Sequence, residues 1–148
     1  MQDILLKKNS DSFYDIDFEN GDFKSTDGLD TAIIMSLLTD ARATSSEVPE
    51  PSRRRGWIGN EQNDDPDYQI GSKLWLLDQS LSTQSTANSS EGYSSESLQW
   101  LVNDQLVQNI TADSQTEFEN ILINIKFTRF DNSVLSKQFE LWENTELV

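Results

Sequence analysis

The sequence predicts an α+β protein with a small antiparallel sheet, two main amphipathic helices, an N-terminal β-hairpin and a C-terminal β-ribbon. Three observations support this class. Apolar and acidic residues alternate near the N-terminus, apolar residues recur with helical spacing in two central segments, and alternation returns in the last third of the chain. A length of 148 residues is typical of one domain, so residues 1–148 are expected to form a single unit.

The N-terminal hairpin is predicted from residues 14–19, where apolar and acidic side chains alternate with the period of a half-buried strand. Asn20 and Gly21 follow, and this pair tolerates the positive φ angles of a tight type I′ turn. Phe23 and Lys24 then begin a short return strand.

The first helix is predicted to begin at Asp27, whose carboxylate can cap it. Leu29, Ile33 and Leu37 recur at every fourth position and form an apolar stripe. The pattern fades after Ala43, where we expect the helix to have ended.

Residues 44–72 change in character, because all three prolines and three of the six glycines lie there. This composition predicts an irregular loop, and a loop of this length in a small domain is usually functional or disordered. Trp57 and Ile58 are flanked by glycines, which indicates a segment that docks against something rather than a free linker.

The next segments combine one short apolar run and one serine-rich stretch. Residues 73–77 form either a helical turn or a buried strand. The polar composition of residues 80–97 predicts a loop. Leu98 and Leu101 then begin a second amphipathic pattern, and this helix is expected to end near Gln105.

The last third of the chain is predicted to be β-structure. Apolar and polar residues alternate over residues 121–128, residues 131–133 form a turn signal, and residues 134–142 supply the returning strand. A shorter strand is expected over residues 107–111. The predicted order is therefore β-β-α-loop-α-β-β-β, with an antiparallel sheet.

Composition excludes several classes of chemistry. The chain has 26 acidic and 11 basic residues, a formal net charge of −15, and neither cysteine nor histidine. Disulfides, thiolate nucleophiles, zinc ribbons and Ser-His-Asp catalysis are therefore excluded. The charge argues against binding to nucleic acid or an anionic membrane. The absence of a long apolar run and of a secretory signal favours a soluble, cytoplasmically made protein.

The acidic residues give only weak indications of a site. Four carboxylates lie within residues 15–22, but their spacing departs from that of a calcium-binding loop, and a solvated hairpin face explains them. The acidic loop at residues 63–67 is a weaker metal candidate. A carboxylate-dependent peptidoglycan hydrolase remains an alternative, because some acid pair is always available among 26. We predict no catalytic residue, cofactor or metal.

The candidate partner-binding residues are Arg53, Arg54, Arg55 and Trp57. Three adjacent arginines are unusual in so acidic a chain. One of them is expected to pair with an internal acid and fix the loop, and the cluster is also expected to grip an acidic surface of another protein. Tryptophan and arginine together are typical anchors of a binding interface. The remaining tryptophans are predicted to pack with their indole N–H groups satisfied: Trp75, Trp100 and Trp142.

Four runs carry a family resemblance, and they follow in a fixed order. They are DGLDTAIIMSLLTDARA at residues 27–43, RRRGWIGN at 53–60, GSKLWLL at 71–77 and ESLQWLVND at 96–104. Together they resemble the small baseplate proteins of Mu-like contractile-tailed phages, a family related to the sheath-initiator proteins of contractile tails. The resemblance extends from about residue 15 to about residue 129.

The resemblance implies a small α+β domain with a helix pair, and a structural rather than enzymatic role. It places such a protein in the baseplate wedge or at the junction with the sheath, in the virion tail after assembly in the host cytoplasm. The implied partners are other baseplate wedge proteins and tail sheath or tube proteins, with oligomers only inside the assembly. The resemblance also implies a helix over residues 82–97, where composition predicts a loop. An acidic cytoplasmic adaptor is a further alternative.

Overall fold

The α+β prediction is confirmed by a computed structural model, which describes residues 3–11, 13–26, 29–65 and 68–141. In chain order the helices and strands are β1 Asp3–Ile4, β2 Leu6–Lys8, β3 Tyr14–Ile16, β4 Phe18–Glu19, β5 Asp22–Phe23, β6 Ser25–Thr26, α1 Leu29–Leu38, α2 Ile58–Glu61, α3 Gln84–Asn103, β7 Asn109–Glu117, β8 Asn120–Thr128 and β9 Val134–Leu141. Single 3₁₀ turns are formed by Pro51–Arg53 and Leu74–Leu77.

The N-terminal strands form three short antiparallel pairs, β1 with β6, β2 with β3, and β4 with β5. The pairs meet where the backbones of Leu5, Asp17 and Lys24 hydrogen-bond to one another at 2.8–3.0 Å. The predicted tight turn is confirmed, since Asn20 and Gly21 have φ angles of +54° and +82°. The strand predicted over residues 14–19 is broken at Asp17, because the backbone of that residue bonds to Leu5 and Lys24 at the junction of the three pairs.

Helix α1 is shorter than the sequence predicts. Ile33 and Leu37 are buried as expected, but the helix ends at Leu38 instead of near Ala43. The reason is a bridge to a distant segment, in which the Ala41 N–H donates to the Ser72 carbonyl at 2.9 Å. The Ser72 N–H in turn donates to the Thr39 carbonyl at 2.8 Å. The backbone after Leu38 therefore bonds to this segment and does not continue the helix. The predicted capping residue Asp27 lies outside the described residues.

The loop predicted over residues 44–72 is largely irregular in its described part, which includes the 3₁₀ turn Pro51–Arg53 and the short helix α2. Gly71 adopts φ +120°, and a Cβ there would lie 2.8 Å from the Thr39 carbonyl oxygen, so glycine permits the bridge described above. The apolar run at 73–77 is a 3₁₀ turn, as one of its two interpretations held, and it buries Leu74 and Leu77.

Helix α3 corrects the loop predicted over residues 80–97. It starts at Gln84 and is capped by Thr83, whose hydroxyl accepts a hydrogen bond from the Thr86 N–H at 3.2 Å. The buried face of α3 before Leu98 has helical spacing, but it is made of small side chains: Thr86, Ala87, Ser90, Ser94 and Ser97. Hydropathy cannot detect such a face, so composition suggested a loop. The helical interpretation of residues 82–97 is correct from Gln84 onward.

The C-terminal sheet has the order β7-β8-β9 and is antiparallel throughout. The central strand β8 was predicted, and one side of it is almost fully buried: Ile121, Ile123, Ile125 and Phe127. The strand predicted at 107–111 is present, but its bounds are wrong, because β7 begins at Asn109 and is nine residues long. Strand β9 follows the prediction to Leu141, and Trp142 lies outside the described residues.

The core lies between this sheet and the two longer helices. Leu98 and Leu101 of α3 and Ile33 of α1 meet the buried face of β8. Trp100 packs against this core, and two tryptophans have their indole N–H groups satisfied as predicted. The Trp100 indole N–H donates to the Ser36 hydroxyl at 3.0 Å, and that of Trp75 donates to the Ala41 carbonyl at 2.8 Å. No helix in the described ranges is both long and apolar enough to cross a membrane.

Candidate partner-binding site

The predicted site, residues 53–57, lies in the loop between α1 and α2. Its backbone is fixed to the segment that leaves α1, because the Ala43 N–H donates to the Arg54 carbonyl at 2.9 Å. The Arg42 guanidinium donates to the Arg55 carbonyl at 3.2 Å. Gly56 has φ +113°, and a Cβ there would lie 3.0 Å from the Arg42 Cβ. The loop therefore has a defined path next to Arg42.

Arg54 is committed to holding its own loop together. Its Nε donates to the Val48 carbonyl at 2.7 Å and its Nη2 donates to the Pro49 carbonyl at 2.8 Å. The side chain is half-buried. These two bonds close the turn around residues 48–54, so this guanidinium is engaged within its own loop.

Arg55 supplies the internal ion pair that the sequence predicts for one arginine. Its Nη1 lies 3.3 Å from an Asp40 carboxylate oxygen and 3.2 Å from one of Asp78. The guanidinium also lies over the Trp75 ring, 4.7 Å from its centroid, in cation–π geometry. Desolvation by burial raises the pKa of Asp78, while the Arg55 charge opposes this rise. Arg55 therefore joins the end of α1 to the 3₁₀ turn at 74–77.

Arg53 and Trp57 are the two predicted residues that remain turned outward. The Arg53 guanidinium is exposed and bonds to no residue in the described ranges. Trp57 is 44% exposed, and its ring lies against Gly59, where a Cβ would approach it to 2.2 Å. The next residue, Ile58, is 68% exposed. Only a glycine at position 59 leaves room for this ring position.

A groove of about 380 Å³ lies beside this loop, between residues 41–73 and α3. Its described lining includes the cations Arg42 and Lys73 and a single carboxylate, Glu96. Glycoside hydrolysis needs two carboxyl groups that face each other across the bond to be cleaved. The described lining of this groove therefore offers no such pair to the hydrolase alternative.

The acidic segments do not converge into a metal site in the part of the chain that the structure describes, where no three acidic side chains are grouped to hold an ion. Asp64 and Asp65 of the acidic loop are exposed, and residues 66–67 of that loop lie outside the described ranges.

Two residues that shape the site were not singled out from the sequence. Arg42 lies under residues 55 and 56, as described above. The Asn60 side chain donates to the Ile70 carbonyl at 2.7 Å and accepts from the Ile70 N–H at 2.9 Å, which fixes α2 against the end of the loop. An asparagine between two glycine-containing stretches is the one local signal of this role, since asparagine bonds to backbone groups in loops.

The fold and the site define a small, acidic α+β protein with one structured surface loop. Arg54 and Arg55 hold this loop by bonds within the chain, and Arg53 and Trp57 are exposed on it. The family model for "Phage protein GP46" matches residues 29–134. Two relatives match most of their length. "Baseplate protein gp46" of Escherichia phage Mu is 36% identical over 129 residues, which cover 85% of this chain and 87% of the relative.

The second relative is "Mu-like prophage FluMu protein gp46" of Haemophilus influenzae. It is 32% identical over 114 residues, which cover 76% of this chain and 77% of the relative. The chain therefore belongs to the GP46 family of Mu-like phage proteins, and the resemblance drawn from the four sequence runs is confirmed.

Proposed function

We propose that this chain is a structural component of a phage baseplate and acts through contacts with other tail proteins. The observation that carries the proposal is the 36% identity, over 85% of the chain, to a protein named as a baseplate protein. We further propose a position in the baseplate wedge or at the start of the sheath, with assembly in the host cytoplasm.

The contact surface in this proposal is the loop at residues 53–57, refined to Arg53 and Trp57 with the neighbouring Ile58. An exposed guanidinium beside an exposed indole is a combination that binding hot spots favour. The loop is fixed by Arg54 and Arg55, so little conformational entropy is lost when a partner binds. The expected partner face carries carboxylates for Arg53 and an apolar recess for Trp57.

The sheet offers a second contact of a different kind. Strands β7 and β9 are its edges, and in the described ranges no further strand pairs with either. An edge strand presents unpaired N–H and C=O groups to which another chain can add a strand. Addition of a strand from a sheath subunit at the C-terminal ribbon, residues 117–142, is therefore part of the proposal.

The test measures binding of the purified chain to the purified sheath subunit and to the neighbouring wedge protein of the same phage. An Arg53→Ala/Trp57→Ala variant removes the outward cation and ring. A matched control, Lys7→Ala/Phe13→Ala, removes an exposed cation from β2 and an exposed ring from the segment just before β3.

We expect the wild-type chain to bind at least one of the two proteins, the loop variant to bind it at least tenfold more weakly, and the control to bind like the wild type. Equal binding by both variants would show that the loop is not the contact, while the baseplate role would stand. If the wild-type chain binds neither protein and is missing from purified tails, the baseplate role itself is wrong.

A further inference from the structure

The turn between β7 and β8 carries an aromatic residue in an unfavourable position. Glu117 pairs with Asn120, so Phe118 and Glu119 alone make the turn. Phe118 has φ +50° and is 98% exposed, while Glu119 is outside the set of positive-φ residues. This pattern of φ signs matches a type II′ turn, whose first central position favours glycine.

Phenylalanine at this position lowers the stability of the folded chain and gains nothing in return. A bulky side chain at positive φ is strained, because its Cβ crowds the backbone. A side chain that stays 98% exposed also gains no free energy from burial. Strain of this kind persists mainly where function requires it. Phe118 therefore requires an explanation outside the chain itself.

The surroundings of Phe118 form a small apolar tip with an acidic rim. The Ser82 hydroxyl donates to the Asn120 carbonyl at 3.0 Å, which places Leu81 at the same end of the molecule. Leu81 is 79% exposed. Glu117 and Glu119 are exposed on either side of the ring. We call these four residues, Leu81, Glu117, Phe118 and Glu119, the hairpin tip.

The hairpin tip is held rigidly. Nine consecutive residue pairs join β7 to β8, from Asn109–Thr128 down to Glu117–Asn120. Ile121, just behind the turn, is fully buried, and the Asn120 side chain bonds to the Glu140 carboxylate of β9. A rigid mount lowers the entropy lost when Phe118 is bound by a partner.

We propose that the hairpin tip docks into a neighbouring protein of the same particle, with Phe118 in an apolar pocket whose rim carries lysine or arginine. The acidic rim selects this partner by charge complementarity. A second copy of the chain would bring glutamates against glutamates, and an anionic membrane would repel them. The proposal rests on the proposed function, because it takes the partner from the baseplate or its neighbours, and it adds a contact separate from residues 53–57.

The first experiment places a photo-reactive benzoylphenylalanine at position 118 in the full chain and irradiates assembled particles. Position 130 serves as the control, because Phe130 is 62% exposed and lies at the opposite end of β8. We expect position 118 to cross-link to one peptide of another particle protein, apolar and bordered by lysine or arginine, and position 130 not to link to it. Cross-links to a second copy of this chain, or none in particles that contain the chain, would overturn the proposal.

The second experiment compares Phe118→Gly with the wild type, since glycine relieves the strain and removes the ring. We expect the urea midpoint of the isolated chain to stay unchanged or rise, and incorporation into particles to fall at least tenfold in competition with the wild type. A lower midpoint would assign Phe118 to folding, and unchanged incorporation would remove it from docking. Either result overturns the proposal.

Two outcomes separate this proposal from others. Binding of the wild type, but not Phe118→Gly, to phosphatidylcholine vesicles would identify a lipid contact and reject a protein pocket. If the wild-type chain is absent from particles, the proposed function is refuted. If the wild-type chain and the Phe118→Gly variant enter particles at equal levels, only the role of the hairpin tip is refuted.

Discussion

Ser94 provides a direct test of how helix α3 packs against the sheet. Its side chain is 0% exposed, and its hydroxyl has no hydrogen-bond partner in the described part of the chain. An unpaired buried hydroxyl costs about 1–3 kcal/mol. Alanine also favours a helix over serine by about 0.5 kcal/mol. Against this, Ser94→Ala loses only the packing of one oxygen, so we expect the free energy of unfolding to rise by about 1 kcal/mol.

Ser90 is the matched control, because it lies one turn earlier on the same face and is also 0% exposed. Its hydroxyl donates to the Ala87 carbonyl at 2.7 Å and lies 2.8 Å from the Ser114 hydroxyl. Since these bonds are made, Ser90→Ala loses about 0.5–1.5 kcal/mol of hydrogen bonding. The same helix preference for alanine offsets about 0.5 kcal/mol of this loss, so the free energy of unfolding is expected to fall by up to about 1 kcal/mol.

The assay is urea unfolding at neutral pH, followed by far-ultraviolet circular dichroism and tryptophan fluorescence. With a slope of about 1–3 kcal/mol per molar urea, a change of about 1 kcal/mol moves the urea midpoint by roughly 0.3–1 M, which is easily resolved. The two variants should shift the midpoint in opposite directions. If Ser94→Ala destabilises the chain as much as Ser90→Ala does, the Ser94 hydroxyl is satisfied and the reasoning is refuted.

Three further predictions test other contacts, each by urea unfolding. Trp100→Phe removes the hydrogen bond to Ser36 and should lower stability by about 0.5–1.5 kcal/mol, whereas no change would mean that the bond contributes nothing. Gly71→Ala forces a side chain into positive φ against the end of α1 and should lower stability by about 1–3 kcal/mol; an unchanged midpoint would contradict the close approach. The Thr44 backbone N–H holds the pKa of Glu47 below its ordinary value of 4.5, so this stabilisation is present above that pH and is lost as pH falls through the lowered value. Glu47→Gln should therefore flatten the loss of stability below pH 4.5, and an unchanged acid profile would refute the linkage.

The large apolar residues explain which elements the sequence predicted correctly. In β8 the alternation is carried by isoleucine and phenylalanine, so both the strand and its buried face could be recognised. In α3 before Leu98 the buried face is made of serine, threonine and alanine instead. These small side chains let the helix approach β7, where the Ser90 and Ser114 hydroxyls lie 2.8 Å apart. Their spacing is helical, but their hydropathy resembles that of a loop. The family resemblance detected this helix because it compares residues rather than hydropathy.

Elements that depend on distant partners were the ones the sequence missed. Strands β1 and β2 contain too few residues for a clear pattern, and they exist because β6 and β3 pair with them. The early end of α1 has the same origin, since the Ser72 bridge competes with the last helical turn. Local spacing contains no information about such pairings. The exposed position of Phe118 was not predicted either. The sequence predicted a strand that ends at residue 111, whereas β7 extends to Glu117, directly before Phe118.

The three arginines show why a cluster of identical residues does not act as one site. Arg53 ends a 3₁₀ turn, Arg54 turns inward to backbone carbonyls, and Arg55 adopts φ +47° and points at two carboxylates. The sequence predicted both an internal pairing and an outward grip. The structure assigns the internal pairing to Arg55, and the outward grip stays a proposal for Arg53. Replacing all three would remove the loop's supports together with any binding group. Arg53→Ala and Trp57→Ala are therefore the substitutions that probe binding, whereas Arg55→Ala reports on whether the loop keeps its path.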